Sequence, residues 1–166
     1  MRITDKYVFF YGSGQCFSNW HRATFIDGNG VTYNCSEQYM MAKKAELFND
    51  TTTYKLIMAE KNPREQKALG GIVKDFKKAI WNEQAKGIVY NGCYLKFTQN
   101  PKMLHELMYT GNTKLVEASP YDRIWGIGMG EYDKGVEDPE NWKGTNWLGE
   151  TLTLLRDDLR RAGITN

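Results

Sequence analysis

The sequence predicts an α+β fold in which helices outnumber strands and the sheet is small and mostly antiparallel. Two observations indicate this class: long segments carry apolar residues at helical spacing, and the short strand-like segments cluster near the ends of the chain. The chain has 166 residues, 41% of them hydrophobic, which suits one compact domain. We therefore expect a single domain spanning residues 1–166.

The predicted strands are short. Residues 7–11 are almost entirely aromatic or β-branched, and residues 22–34 have the pattern of a hairpin whose turn is Asp27-Gly28-Asn29-Gly30. Residues 114–117 form one more short strand.

The helices are predicted from start signals and apolar periodicity. Ser36 begins the first, Pro63 and Pro101 occupy first-turn positions that proline tolerates, and Gly111 follows the end of another. The longest helix carries Trp81, Ala85 and Ile88 on one face. The expected helices are 36–48, 52–59, 63–69, 75–97, 101–109 and 148–162, with a long loop over 126–149.

Composition limits the classes of function. The 22 basic and 20 acidic residues are nearly balanced, which gives no overall electrostatic case for a nucleic-acid or membrane protein. Three widely spaced cysteines and two histidines do not form a zinc motif, and no apolar run is long enough to cross a membrane. We expect a cytoplasmic protein with reduced thiols, no bound metal and no membrane partner.

Residues 119–128, here called the site loop, are the most informative stretch. Pro120 restricts the backbone, and Gly126 and Gly128 permit conformations closed to other residues, so Asp122 and Trp125 are held in place. An acid beside an indole suits a cationic, ring-shaped transition state or a stacked base. The structural alternative is that Asp122 caps the turn and Trp125 fills the core.

A second acid lies at the start of the first predicted helix. Glu37, Met41, Lys44 and Phe48 fall on one helical face, so the carboxylate shares a partly apolar surface. Burying a carboxylate there is costly unless it is paired or catalytic. The structural alternative is that Glu37 favours the positive end of the helix dipole in the first turn.

These segments, in this order, resemble the NADAR superfamily of YbiA-like N-glycosidases. The resemblance covers most of the chain from Phe10 to Arg160 and rests on six blocks, in which x is any residue: residues 17–20 (FSNW), 36–45 (SEQYxxAxKA), 96–100 (KFTQN), 110–111 (TG), 115–126 (LVExSPxDxxWG) and 146–149 (NxLG). It implies the YbiA-like fold and hydrolysis of an N-glycosidic bond between ribose and a base-like leaving group. Family substrates include phosphorylated ribosylaminopyrimidine intermediates of riboflavin synthesis and ADP-ribose attached to guanine of nucleic acid.

Carried over residue by residue, the resemblance assigns catalysis to Glu37, Asp122 and Trp125. Glu37 activates water or stabilises the oxocarbenium ion, Asp122 takes the complementary role, and Trp125 stacks on sugar or base. These acid roles are interchangeable on the sequence alone. Expected substrate contacts come from the same blocks: Asn19, Trp20, Lys44, Gly126 and Asn146.

The resemblance also sets expectations for ligands. No cofactor or metal is required, and the partner is a ribosyl phosphate or ADP-ribosyl substrate, which nucleic acid can carry. One position departs from the family pattern: Gly70 is followed by Gly71, where the family commonly has arginine. This departure keeps open a rival class, a non-catalytic module that binds ADP-ribose, a nucleotide or a partner protein.

Overall fold

The computed structural model describes residues 1–164 and divides the chain into two compact units. One unit, here the terminal unit, combines Met1–His21 with the chain from Pro101 onwards, and the other, the central unit, is Arg22–Asn100. The elements in chain order are β1 (Arg2–Ile3), β2 (Tyr7–Phe10), β3 (Phe25–Ile26), β4 (Thr32–Tyr33), α1 (Ser36–Leu47), α2 (Thr51–Ala59), α3 (Pro63–Gly71), α4 (Lys78–Thr98), α5 (Pro101–Tyr109), β5 (Lys114–Glu117) and α6 (Trp147–Arg161).

The terminal unit is built on a sheet of strand order β1-β2-β5. β1 is antiparallel to β2, whereas β5 joins β2 in parallel, with Val8 opposite Leu115 and Phe9 opposite Val116. Helix α6 packs against β5. A buried apolar cluster contains Tyr7, Phe9, Val116, Ala118, Ile127, Met129 and Val136, with Trp142 packed against it. The site loop therefore continues directly from a buried strand into this cluster.

In the central unit, α1 packs against α2, α3 and α4, beside the antiparallel β3–β4 hairpin. Two glycines permit this close packing. A Cβ added at Gly70 would lie 1.9 Å from the Met41 sulfur, and one added at Gly92 would lie 2.7 Å from the Tyr39 ring. Six of the first seven residues of α1 after Ser36 are also buried, so this helix forms the interior of the unit.

The α+β prediction is confirmed, with the sheet mixed: two of the three strand pairings are antiparallel and the third is parallel. All six predicted helices are present. Helix α4 begins at Lys78 rather than near residue 75, because Asp75 has a left-handed backbone conformation (φ 52°) that a helix does not admit. Strand β1 was not predicted. The expected single domain over 1–166 stays a prediction.

The predicted loop over 126–149 is observed as turns and bends with one 3-10 turn at Pro139–Asn141, and α6 follows from Trp147. Among residues 1–164, no helix is both long and apolar enough to span a bilayer.

Candidate active site

The site loop is ordered by its own acid. One carboxylate oxygen of Asp122, Oδ1, accepts hydrogen bonds from the backbone N–H of Ile124 (2.9 Å) and of Trp125 (2.8 Å). The hydroxyl of Ser119 in turn accepts from the backbone N–H of Asp122 at 3.2 Å. This is the turn-capping arrangement proposed as the structural alternative for Asp122. It fixes where the carboxylate lies and leaves open whether that carboxylate also does chemistry.

Gly126 is required by close approach of the backbone. A Cβ at this position would lie 2.9 Å from the carbonyl oxygen of Glu117 and 3.0 Å from that of Asp122. The loop is tied back to β5 by the next residue, because the N–H of Ile127 donates to the Glu117 carbonyl at 2.9 Å. A larger residue at Gly126 would push Asp122 and Trp125 away from the strand that positions them.

Asn146 joins three parts of the terminal unit. Its carboxamide oxygen accepts from the N–H of Glu117 (2.9 Å), and its Nδ2 donates to the carbonyl of Leu115 (3.1 Å). Its backbone N–H donates to the carbonyl of Gly126 at 3.2 Å, and its left-handed conformation (φ 53°) begins α6. The side chain is 4% exposed and holds β5, the loop and the helix together. A direct contact of Asn146 with substrate stays a prediction.

Trp125 lies beside a second indole that the sequence reasoning did not single out. The rings of Trp125 and Trp147 are 5.6 Å apart and nearly perpendicular, at 83°. The backbone N–H of Leu148 donates to the carbonyl of Trp125 at 3.1 Å, which fixes the start of α6 against the loop. Both indoles are half-buried, so Trp125 is not a fully enclosed core residue. The only sequence signal for this contact is a tryptophan in each of two segments, residues 125–126 (WG) and 146–148 (NWL).

Asn19 and Trp20 lie in a run of tight turns after β2. The N–H of Ser18 donates to the carbonyl of Gln15, and the Ser18 hydroxyl accepts from the N–H of Trp20 at 3.1 Å. Phe17 packs on Phe10 with ring centroids 5.6 Å apart, which anchors the turns to the sheet. Asn19 is buried and Trp20 is half-buried. These contacts fix the backbone of both residues within the terminal unit.

Glu37 occupies the first turn of α1 in the central unit. The helix is capped by another residue, Cys35, whose sulfur accepts from the N–H of Gln38 at 3.4 Å. The Glu37 side chain is only 3% exposed. Burial raises the pKa of the Cys35 thiol, and the negative charge of Glu37 raises it further. A buried carboxylate therefore lies at the positive end of the helix dipole without being needed as the cap.

Lys44 lies two turns along α1 from Glu37 and is half-buried. Its Nζ donates to the carbonyl of Gly70 at 2.8 Å and lies 4.2 Å from the centre of the Phe76 ring. Burial lowers the pKa of Lys44, and the field of Glu37 opposes that shift. The charge of Glu37 therefore acts on Lys44 along the same helix. Gly71 is exposed with open space around its Cα, so an arginine there would meet no obstacle.

The structure adds one residue that the sequence reasoning missed, Lys96 on α4. Its side chain is 0% exposed, and its positive charge lowers the pKa of Cys35, against the larger effect of burial. Lys96 lies on the buried face of α4, together with Ala85, Val89, Gly92, Cys93 and Phe97. A fully buried lysine is rare in proteins and is usually paired.

Six of the eight expected site residues fall into two groups, one in each unit, whereas Asn19 and Trp20 lie in a separate run of turns. In the terminal unit, Asp122, Trp125, Gly126 and Asn146 belong to one hydrogen-bonded structure between β5 and α6. In the central unit, Glu37 and Lys44 share α1. Within residues 1–164, no group of three or more His, Cys, Asp or Glu side chains is arranged to hold a metal ion. That the reaction needs no metal stays a prediction.

The known family that this chain matches is the NADAR domain family. The family model matches residues 9–160, and the chain belongs to this family. N-glycosidase R617 of Acanthamoeba polyphaga mimivirus is 43% identical over 166 residues, covering 93% of this chain and 97% of that protein. Protein irg-1 of Caenorhabditis elegans is 37% identical, covering 94% of this chain and 81% of that protein.

A solved structure has the same fold. The NMR structure of the E. coli protein YbiA superposes with a TM-score of 0.78, covering 99% of this chain and 91% of that one, at 24% identity. This likeness confirms the YbiA-like fold predicted from the sequence blocks.

Proposed function

We propose that this protein is an N-glycosidase that hydrolyses the bond between a ribose and a base-like leaving group. The observation that carries the proposal is its similarity to N-glycosidase R617, which extends over 97% of that protein. Glu37, Asp122 and Trp125, the residues expected to act, lie in ordered segments of the two units. The support is thus a relative of known class together with side chains suited to the chemistry.

The proposed reaction develops positive charge on the ribose ring, which a carboxylate can stabilise. As the bond between the anomeric carbon and the base nitrogen breaks, the base leaves with the electron pair, and positive charge spreads over the ribose ring carbon and oxygen. Water then bonds to the anomeric carbon and loses a proton, and the leaving base gains one. A fixed negative charge near the ring lowers this barrier electrostatically, and a carboxylate can also accept the proton from water.

Glu37 is the acid best suited to that task. Its carboxylate is 3% exposed, and a charge in such surroundings acts more strongly than one in water. Its helix is already capped by Cys35, so the turn does not account for the acid. We assign Glu37 to water activation or to stabilisation of the oxocarbenium ion.

Asp122 and Trp125 take the supporting roles. Asp122 Oδ1 is engaged by two N–H groups of its own loop, which orients the carboxylate for the complementary contact with ribose or water. Trp125 has an indole that is only half-buried and is held edge-on by Trp147, so one ring face suits stacking against a sugar or base. The proposed substrate contacts are Asn19, Trp20, Gly126 and Asn146 in the terminal unit and Lys44 in the central unit.

The substrate class follows from the family and from the charge balance. We propose a phosphorylated or ADP-ribosylated N-riboside, either a ribosylaminopyrimidine phosphate or ADP-ribose on guanine. The 22 basic and 20 acidic residues argue against extended tracking along a nucleic-acid backbone. Any attached nucleic acid should therefore add little, and affinity should fall with salt by a log-log slope of about one or two.

The test is a panel of candidate N-ribosides read by mass spectrometry for free base and free ribosyl product. We expect one phosphorylated or ADP-ribosylated member to be hydrolysed, before and after exhaustive EDTA treatment. The rival function is a non-catalytic ADP-ribose-binding or protein-interaction module, which Gly71 favours because the family commonly has arginine there. Tight ADP-ribose binding with no product from any riboside would support the rival and overturn the enzyme.

A further inference from the structure

Two basic side chains meet over Gly128 at the end of the site loop. Gly128 has a positive φ of 65°, and a Cβ built on it would lie 3.1 Å from Arg123 Cγ and 3.0 Å from Lys143 Cβ. The Cγ of Arg123 and the Cβ of Lys143 therefore both border the space next to the Gly128 Cα. We call Arg123 and Lys143 the cation pair.

Backbone hydrogen bonds hold both members of the cation pair. The N–H of Lys143 donates to the carbonyl of Ile127 (2.9 Å), and the N–H of Thr145 donates to the carbonyl of Arg123 (3.0 Å). Between them, Gly144 lies so close that a Cβ there would be 2.7 Å from Arg123 Cα. The two segments are thus pressed together, and the spacing of the two stems is set by the fold rather than by flexible side chains.

The charges of the cation pair are not neutralised within the protein. Among residues 1–164, neither Arg123 nor Lys143 makes a side-chain hydrogen bond or ion pair, and both side chains are exposed. The neighbouring acid Asp122 directs Oδ1 at backbone N–H groups of its loop. Like charges on neighbouring side chains repel each other, and a bound anion between them would offset that repulsion.

Three other cations of the chain make polar contacts within their own unit. In the central unit, Lys43 pairs with Asp27 and Glu46, and Lys44 donates to the Gly70 carbonyl. In the terminal unit, Arg156 is bonded to Thr110, Thr113 and Asp157. Arg123 and Lys143 differ from these three in making no such side-chain contact within the described part of the chain and in having both stems packed against Gly128.

We propose that Arg123 and Lys143 form a phosphate subsite that binds the phosphate or diphosphate group of the substrate. A planar guanidinium beside an ammonium suits an anion with several equivalent oxygens, because arginine binds two oxygens in a fork and lysine adds a point charge. Arg123 belongs to the same loop as Asp122 and Trp125, and Lys143 is hydrogen-bonded to that loop through Ile127, so an anchored phosphate would lie in the same unit as those side chains. The identity of the ligand rests on the proposed function, whereas the anion affinity does not.

The experiment removes each charge with little change of shape. Arg123→Gln, Lys143→Gln and the double variant are compared with Lys134→Gln, which removes an exposed, unpaired lysine from the same long loop. Binding of inorganic phosphate, pyrophosphate, ribose 5-phosphate and ADP-ribose is measured by calorimetry, with circular dichroism as a check on folding.

We expect each single substitution to weaken binding about tenfold, the double variant to lose more, and Lys134→Gln to match the parent. A preference for ribose 5-phosphate points to a monophosphate ligand, and a preference for ADP-ribose or pyrophosphate to a diphosphate. Failure of the parent to bind any of these probes, parental affinity in the double variant, or an equal loss in Lys134→Gln would overturn the proposal.

Turnover, measured separately on the riboside panel, distinguishes the two proposals. Phosphate affinity that depends on the cation pair, in a protein that hydrolyses no riboside, supports the subsite and contradicts the enzyme. If the protein hydrolyses a riboside but the double variant binds phosphate as tightly as the parent, the subsite is contradicted and the enzyme is not.

Discussion

The two acids of the proposed site are supported in different ways. Glu37 in the central unit lies in the first turn of a helix that Cys35 caps, and its side chain is almost wholly buried. Asp122 in the terminal unit is half-buried and caps its own turn through Oδ1. A local structural role accounts for the position of Asp122, whereas the cap of α1 does not account for Glu37.

This difference teaches how to weigh an acid in an uncharacterised site. A carboxylate that satisfies backbone N–H groups is explained by local structure, and its chemistry must be shown separately. A carboxylate that is buried and not needed as the cap incurs a desolvation cost that function can explain. Substitutions that remove the charge of an acid but keep its shape therefore test whether that acid has a role beyond its local structure.

The largest effect is expected at Glu37. Glu37→Gln keeps the size of the side chain and removes its charge, so turnover should fall about a hundredfold or more while the protein stays folded. Glu46→Gln on the same helix is the matched control, because Glu46 pairs with Lys43 at the surface. The measurement is the turnover of the parent and both variants on the identified substrate. Parental turnover in folded Glu37→Gln would remove this acid from the mechanism.

Two substitutions of Asp122 should separate its role in the turn from its proposed role in catalysis. Asp122→Asn retains an oxygen at the position of Oδ1 and so keeps the turn, but it removes the charge, and we expect turnover to fall about a hundredfold with little change in melting temperature. Asp122→Ala should lose the same activity and also destabilise the protein by about 1 kcal/mol, since two N–H groups lose their acceptor.

Asp133→Asn is the control for Asp122, because Asp133 Oδ2 caps a turn at Gly130 in the long loop in the same way. If Asp122→Asn is as active as this control, the role of Asp122 is confined to the turn.

Trp125 should contribute through stacking. Trp125→Ala should weaken stabilisation of substrate by roughly 1–3 kcal/mol, and Trp125→Phe should recover part of it, because a smaller aromatic face remains. Binding and kinetics at a temperature where all variants are folded would measure this. A Trp125→Ala protein that melts far below the parent yet binds normally when cold would assign the indole to packing alone.

Asp50 provides a reference for a carboxylate with a purely structural role. The N–H of Lys74, the hydroxyl of Thr53 and the N–H of Thr53 all donate to it and lower its pKa from 3.8 to about 2. Because the folded pKa is the lower one, Asp50 stabilises the fold fully above pH 3.8 and loses this effect as the pH falls through about 2.

Asp50→Asn should therefore flatten the fall in unfolding free energy across this acid window, and turnover near neutral pH should not change. Denaturant unfolding at a series of acidic pH values measures the slope. An unchanged slope would show that other carboxyl groups govern acid stability.

Much of the fold could be predicted from local signals. Caps, first-turn prolines and apolar periodicity located all six helices, and the Asp-Gly and Asn-Gly steps located the β3–β4 turn. The parallel pairing of β2 with β5 could not be predicted, because it joins segments more than a hundred residues apart and depends on packing rather than on any local pattern. Strand β1, only two residues long, gives no periodic signal.

The site was predictable where sequence blocks carried it and not where packing created it. Asp122, Trp125 and Glu37 stood out by residue type and position, and their catalytic roles stay predictions. The Trp125–Trp147 contact and the cation pair arise because residues 143–147 fold back on residues 123–127, which only the hydrogen-bond pattern reveals. Lys96 lies within one of the six sequence blocks, but no local pattern shows that its side chain is fully buried.

The most direct test of the central claim is hydrolysis in heavy-oxygen water, followed by mass spectrometry of both products. If the protein is an N-glycosidase, the released base carries no label and the ribosyl product gains one heavy oxygen at the anomeric carbon, because the bond broken is carbon–nitrogen and the bond formed is carbon–oxygen. Label in the base or in a phosphate, or no release of base from any riboside of the panel, would contradict the account.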